Sequence, residues 1–378
     1  MINRIIIQRI KEVLFKGKTI MLFGPRQSGK TTLLEMLTAD IREKVLLLDC
    51  DEPDIRKELT DVTSTQLMHR FGDARVVMID EAQRITNIGI TLKLIHDKIK
   101  GVQLIVTGSS SLELTGETSE PLTGRKYEFL LLPLSTAEMI GHTDETTEKR
   151  LLEQRLLYGL YPGVVNEPGK ERKILTNLTG SYLYKDIFTF QDIRKPEIIE
   201  SLLEALALQA GNEVSYHELA ITLGIDQLTV RRYIDLLEKA FVVFRLRSFS
   251  RNVRNEIRKS RKIYFYDNGV RNALISNFSQ INLRTDKGSL WENFLVSERL
   301  KLLNNLQIDA KRYFWRTAQQ QEVDYIEERD GQLSAYEFKW TEKKMNKLPS
   351  TFLKAYPDAL TSFVNSSNYL DFVNEFSV

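Results

Sequence analysis

Residues 18–31, KTIMLFGPRQSGKT, decide how the first third of this chain is read. KTIMLF is a short apolar run of branched and large side chains, the pattern of a buried strand. GPRQSGKT follows at once, and TLLEMLTA after it has the spacing of a helix. Strand, glycine loop and helix in that order are the context a G-x-x-x-x-G-K-[ST] sequence needs to hold phosphates. Gly24 and Gly29 free the backbone to curl with its N–H groups pointing inward. The expected contacts run from Gly24 through Pro25, Arg26, Gln27, Ser28 and Gly29 to Lys30, Thr31 and Thr32. Lys30 would reach the terminal phosphates of ATP, the Thr31 hydroxyl would ligate Mg²⁺, and the helix adds its positive end.

Outward from the loop, residues 75–83 read RVVMIDEAQ, an apolar strand ending in two adjacent acids. Asp80 is placed to hold Mg²⁺, and Glu81 to orient or deprotonate an attacking water. A pair of acids also favours a helix N-terminus, so capping is the alternative reading. VQLIVTGSSS (residues 102–111) ends a third apolar strand in hydroxyl residues. Parallel α/β sheets place ligands at the carboxyl ends of their strands, so Thr107 and Ser109 are expected to read the γ-phosphate or its water. Val45–Leu48, running into DCDEPD, reads as one more buried strand.

GPRQSGKTTLL, MIDEAQ and TGSSS, followed by LTGRKYEFLLLPLS, resemble the bacterial and archaeal AAA-type ATPases of the ASCE P-loop class. More narrowly they resemble the family that carries a C-terminal domain of unknown function behind the ATPase. That resemblance implies a role for Arg125 as a sensor or arginine finger, neutralising charge in the transition state. By its position alone, Arg125 is equally a surface arginine at a strand start.

Composition narrows the remaining classes. The chain has 378 residues, enough for two or three domains, and a formal net charge of only +2, so any basic surface must be local. One cysteine, Cys50, excludes an intramolecular disulfide and a cysteine-based zinc site, and four histidines show no metal-pair spacing. The N-terminal MINRIIIQRIKEVLF alternates charged and apolar residues and lacks the core of a secretion signal. No apolar run approaches the roughly 18 residues that a membrane span needs. The expectation is a cytoplasmic protein with no membrane segment, and a homo-oligomer fits the resemblance.

From about residue 150 the pattern turns helical. SYHELAITLGIDQLTVRRYIDLLEKAFVVFRL (215–246) has the outline of a winged helix-turn-helix. Ser215 with Glu218 forms a capping box, Gly224 ends the first helix and Asp226 caps the second. Gln227, Thr229, Arg231 and Arg232 then open a recognition helix, where base contacts are made. Residues 245–262, RLRSFSRNVRNEIRKSRK, carry eight basic residues against one acid, which suits a wing tracking DNA phosphates. A packing module with a solvated basic loop is the competing reading. The family resemblance extends over TVRRYIDLLEKAFVV and KIYFYDNGVRNAL without deciding between them.

Near the C-terminus, QQQEVDYIEERDGQLSAYEFKW carries Asp330-Gly331, a two-residue hairpin signal between alternating segments. A two-residue loop there sets Asp324 opposite Glu337 and Glu322 opposite Lys339, all on one face. Val323, Tyr325, Tyr336, Phe338 and Trp340 fall on the other. Two carboxylates facing across a ladder repel, and a divalent cation between them would reverse the sign. Asp324, Glu337 and Lys339 match the D…ExK pattern of the PD-(D/E)xK nuclease core, where two acids hold Mg²⁺. Glu292, in GSLWENFLVSERL, matches the extra helical acid of that fold by resemblance only. A solvated polar face in which Lys339 offsets the acids is the alternative.

The expected architecture is therefore α/β in three parts. Residues 1–145 form a P-loop AAA-type ATPase domain with a parallel sheet, and 146–275 a helical and winged helix-turn-helix domain. Residues 276–378 form a restriction-endonuclease-like α/β domain. The expected activity is Mg²⁺-dependent ATP hydrolysis controlling a DNA-associated module, against an ATP-gated nuclease or a nucleotide-switched adaptor.

Overall fold

The structure, a computed structural model, describes residues 1–108, 122–182, 196–249, 261–341 and 348–374. These divide into two compact units, one of Arg4–Pro133 with Lys239–Phe241, the other of Met1–Asn3, Leu134–Glu238 and Val242–Val378.

The first unit is built on five parallel strands, β1 (Thr19–Phe23), β2 (Val45–Asp49), β3 (Val76–Asp80), β4 (Gln103–Gly108) and β5 (Lys126–Leu130), in the order β2-β3-β4-β1-β5. Every residue of β1, β3 and β4 is buried, as expected of parallel strands covered on both faces. The period of two divides their side chains between two cores. Met21, Phe23, Val77, Ile79 and Val106 pack with Leu59, Phe71, Leu92 and Ile95. Ile20, Leu22, Val76, Met78 and Ile105 pack instead with Ile6, Ile10, Leu33, Leu34 and Leu37. The last three belong to the Lys30–Asp40 helix that follows the glycine loop, so burying its apolar residues fixes the loop against β1.

The second unit carries a six-stranded mixed sheet. Its strands are β6 (Val243–Ser248), β7 (Arg261–Phe265), β8 (Lys311–Arg316), β9 (Glu322–Arg329), β10 (Gln332–Phe338) and β11 (Leu360–Val364). Their order is β11-β10-β9-β8-β6-β7. The helix pair expected before β6 is present as Tyr216–Leu223 and Gln227–Lys239. Gly224 ends the first at φ 64°, in the left-handed region, and Asp226 accepts from the Thr229 N–H at 2.9 Å. Only half of the expected capping box forms, with Ser215 Oγ accepting from the Glu218 N–H. The following strands β6 and β7 pair with each other, and β6 pairs in parallel with β8 at Arg247–Tyr313 and Ser248–Phe314. The division expected at 275/276 thus falls inside one compact unit, because strands from both sides of it share one sheet.

Asp330 and Gly331 make the expected turn with φ of 48° and 82°, and the ladder pairs Gln332 with Arg329 through Tyr336 with Tyr325. The expected division of faces needs correction at Val323. One extra residue of β9 lies between the pairs Tyr313–Ile326 and Trp315–Val323. This bulge puts Val323 with Ile326, Ala335 and Phe352. Tyr325 packs instead with Tyr336, Phe338 and Phe372.

Candidate functional site

The glycine loop leaves the carboxyl end of β1 and is shaped by positions that tolerate no ordinary side chain. Gly24 has φ 156°, and a Cβ there would lie 2.1 Å from the main-chain oxygen of Leu131. Gly29 has φ 93° and Gln27 φ 60°, so the loop turns twice through the left-handed region before the helix starts at Lys30. Lys30 is 5% exposed, and its ammonium donates to the carbonyls of Gly24 at 3.0 Å and Pro25 at 3.1 Å. Ser28 is buried, while Gln27, Thr31 and Thr32 are exposed and Arg26 is half-buried.

The acid-bearing strand meets this loop through one hydrogen bond. The Thr31 hydroxyl donates to Asp80 Oδ2 at 2.8 Å, although the two lie 49 residues apart in sequence. Asp80 sits at the end of β3 and is 5% exposed. Its other oxygen accepts from the Thr107 hydroxyl and from the Glu81 N–H at 3.1 Å. Thr107 Oγ1 also accepts from the Glu81 N–H at 3.1 Å. Thr107, expected to read the γ-phosphate or its attacking water, lies beside β3, where β4 pairs Val106 with Ile79, and its hydroxyl donates to Asp80. Glu81 takes a left-handed φ of 53°, and its carboxylate accepts from Gln83 Nε2. Ser109 lies outside the described residues.

Arg125 stands at a strand start, the reading its position alone allowed beside the finger role that the resemblance implied. Its carbonyl accepts from the N–H of Thr19, the first residue of β1, and its guanidinium pairs with Asp97 at 3.2 Å. Because β5 runs parallel to β1, Arg125 stands at the amino end of the sheet, while the glycine loop leaves the carboxyl end. A five-residue strand separates them by about 16 Å at roughly 3.3 Å per residue. Within one chain, Arg125 therefore does not reach the loop.

Sequence reasoning missed three contributors in this unit. Gln83 belongs to the DEAQ stretch, and its contact with Glu81 two residues away is a local signal that could have been read. Arg4 is 5% exposed and donates to the carbonyls of Ser28 at 2.8 Å and Leu132 at 2.6 Å, which no spacing announces. Cys50 lies beside the site, its N–H donating to the Asp80 carbonyl at 3.0 Å. Burial, then the charges of Asp49 and Asp80, push its thiol up to about 12, which leaves it an inert core residue.

The second unit holds a separate charged cluster. Glu292, on the Lys287–Leu306 helix, joins Glu322 and Asp324 of β9, with one carboxylate oxygen of each within 4.8 Å of the others. Lys262 of β7, 2% exposed, donates to Glu292 at 2.7 Å and pairs with Glu322. The Tyr264 hydroxyl donates to the same Glu292 oxygen at 2.6 Å. Asp324 Oδ2 accepts from the Phe338 N–H at 2.7 Å, and Lys339 pairs with Glu337 at 2.5 Å. Burial, then the charges of Glu292 and Glu337, push the Asp324 carboxyl well above its usual range, while Lys262 and Lys339 pull it down. Burial opposes the Lys262 charge, but Glu292, Glu322 and Asp324 outweigh it and hold the ammonium above its usual range.

This geometry adds Glu322 to the expected acids. Glu292, Glu322 and Asp324 form one three-carboxylate group, and Glu337, whose charge also acts on Asp324, pairs through Oε1 with Lys339. Two basic residues of the stretch 245–262 are paired with acids of the same unit. Lys262 lies in this cluster, and Arg245, 16% exposed, pairs with Asp235 and Glu238. Residues 250–260 of that stretch lie outside the described residues, whereas Gln227, Arg231 and Arg232 are exposed and Thr229 is half-buried.

Residues 16–140 match the model of an AAA domain, and 149–281 and 287–372 match two domains of unknown function, DUF8612 and DUF4143. An uncharacterized protein of Mycobacterium tuberculosis is 28% identical over 339 residues, covering 88% of this chain and 73% of its own. One of Methanocaldococcus jannaschii is 22% identical over 381 residues, covering 94% and 82%. Among solved structures, the Walker-type ATPase of Pyrococcus abyssi matches with a TM-score of 0.50 at 17% identity, over 72% of this chain and 96% of that one. At that identity the likeness speaks for the fold. The AAA-domain match and this fold together support an AAA-type P-loop ATPase, and with it ATPase activity in general. Among the described residues no helix is long and apolar enough to cross a membrane.

Proposed function

We propose that this chain hydrolyses ATP with Mg²⁺ at the carboxyl ends of β1, β3 and β4. The observation that carries this reading is the Thr31–Asp80 contact of 2.8 Å, which brings together a hydroxyl and a carboxylate from two separate motifs beside Lys30. Two hard oxygen ligands side by side suit Mg²⁺, which prefers one or two protein oxygens plus substrate phosphates. Thr31 and Asp80 would hold the ion, and its chemistry there is to neutralise charge on the phosphate oxygens. Lys30, parked on the carbonyls of Gly24 and Pro25, exchanges them for the terminal phosphates. Loop N–H groups and the helix start cradle the anion. Glu81 orients and deprotonates the attacking water, with Gln83 setting the direction of its carboxylate. Thr107 keeps Asp80 and the Glu81 backbone in register. The direct test is phosphate release by the purified full chain with saturating ATP and Mg²⁺. No release above background overturns the reading.

A second reading concerns the other unit, and the cluster of Glu292, Glu322 and Asp324 favours it. The three carboxylates, with Lys339 and Glu337 beside them, are the donor set of a divalent cation in a nuclease-like module. Lys262 pairs with Glu292 and Glu322, so a cation held by those two acids displaces its ammonium. DNA contact through Gln227, Arg231 and Arg232 belongs to the same reading. Duplex and single-stranded DNA are incubated with the protein, Mn²⁺ or Mg²⁺, and ATP. Cleavage that disappears in Asp324→Ala supports this module, and intact DNA under every condition rules it out.

A further inference from the structure

Arg4 is the first residue of the nucleotide-binding unit and one of the few charged groups buried in it. Its guanidinium spans two carbonyl oxygens from distant parts of the chain, Ser28 in the glycine loop at 2.8 Å and Leu132 just beyond β5 at 2.6 Å. The neighbouring residue Leu131 presents the main-chain oxygen that leaves no room for a side chain at Gly24. The loop is therefore held at two points, at Gly24 by close approach of Leu131 and at Ser28 through Arg4.

The Ser28 carbonyl belongs to the same peptide unit as the Gly29 N–H. In a trans peptide the C=O and N–H point in opposite directions, and no peptide bond described here is cis. Holding the Ser28 oxygen on Arg4 thus aims the Gly29 N–H away from Arg4. Gly29 has φ 93° and would otherwise be among the freest positions of the loop. We propose that Arg4 is a positioning residue for phosphate binding, which sets the Ser28–Gly29 peptide in the donor orientation before nucleotide arrives. This inference rests on the nucleotide-binding reading above. A planar guanidinium is suited to the task, because two of its N–H groups diverge to two acceptors at once, whereas an ammonium offers a single charged point.

The test measures mant-ATP·Mg²⁺ affinity in the full chain for the parent, Arg4→Met and Arg4→Lys. Adenosine, which carries no phosphate, is used as a competitor. The parent chain is measured first, and failure to bind mant-ATP there removes the nucleotide reading itself rather than the role of Arg4. Given parent binding, Arg4→Met is expected to weaken mant-ATP at least about tenfold, while competition by adenosine stays within about twofold. Arg4→Lys is expected to fall between the two, and it decides the matter if Arg4→Met does not fold. A folded variant that binds mant-ATP as the parent does overturns the proposal. So does an equal loss for adenosine, which would mean a general collapse of the site.

Discussion

The two charged sites of this molecule are built on opposite plans. The nucleotide site takes most of its groups from one continuous stretch, Gly24–Thr32, and adds Asp80, Glu81 and Thr107 from neighbouring strand ends. Its ammonium, Lys30, donates to the loop carbonyls of Gly24 and Pro25. The cluster in the second unit draws on β7, β9, β10 and one helix, and its ammonium, Lys262, rests on carboxylates. The difference teaches how the partners of a buried cation shape a site. Loop carbonyls around an ammonium are neutral acceptors that an incoming anion can replace. Half-buried carboxylates around an ammonium already balance its charge, and removing it leaves several negative charges close together.

Breaking the nucleotide side should give the largest effects. Lys30→Ala is expected to abolish mant-ATP binding, a loss of at least about 100-fold, in line with removal of a charged partner of the phosphates. Binding at parental affinity would overturn the assignment of the loop. Glu81→Gln should retain ATP affinity but slow phosphate release by about 10²–10⁴-fold, the usual range for a general base. Turnover close to the parent would move that role to another residue.

The next effect sharpens the other side of the comparison. Lys262→Met leaves Glu292, Glu322 and Asp324 without their buried partner and should destabilise the second unit by about 3–5 kcal/mol in chelator, read by denaturant melts. The same variant should recover stability on addition of Mn²⁺, whereas the parent shows little response. A variant indifferent to Mn²⁺ would show that these carboxylates do not form a cation site even when vacated. The smallest effect is local. Asp226→Ala should cost about 1 kcal/mol, the ordinary value of a lost helix cap, with no change in ATP affinity.

Arg125 gives a clean contrast with Glu81. Glu81 was expected at the attacking water, and Arg125 either as a sensor or finger by resemblance or as a surface arginine; of the two, Glu81 alone follows a strand at its carboxyl end. Arg125 precedes its strand, and a parallel sheet puts those positions at opposite edges. A sequence motif records which residues accompany a strand, but the end they occupy depends on strand direction. Thr107 lies at the carboxyl edge, and β4, set between β1 and β3, brings its hydroxyl onto Asp80.

Local patterns were enough to find the glycine loop, the acid-ended strand, the caps at Gly224 and Asp226, and the Asp330-Gly331 hairpin register. Each depends on φ, on hydrogen bonds a few residues apart, or on alternation along one strand, all of which neighbouring residues dictate. Arg4 on the loop carbonyl, Lys262 among the acids and Val323 turned away by a bulge depended on something else. They are products of long-range pairing, where strands from distant segments meet and burial chooses partners for charges that a linear pattern shows only as basic or acidic. The amino-acid sequence alone determined which chemistry the first unit carries, because that chemistry is written in contiguous backbone. Only the tertiary structure decided which partners each charge takes, because that depends on the groups that folding brings within reach.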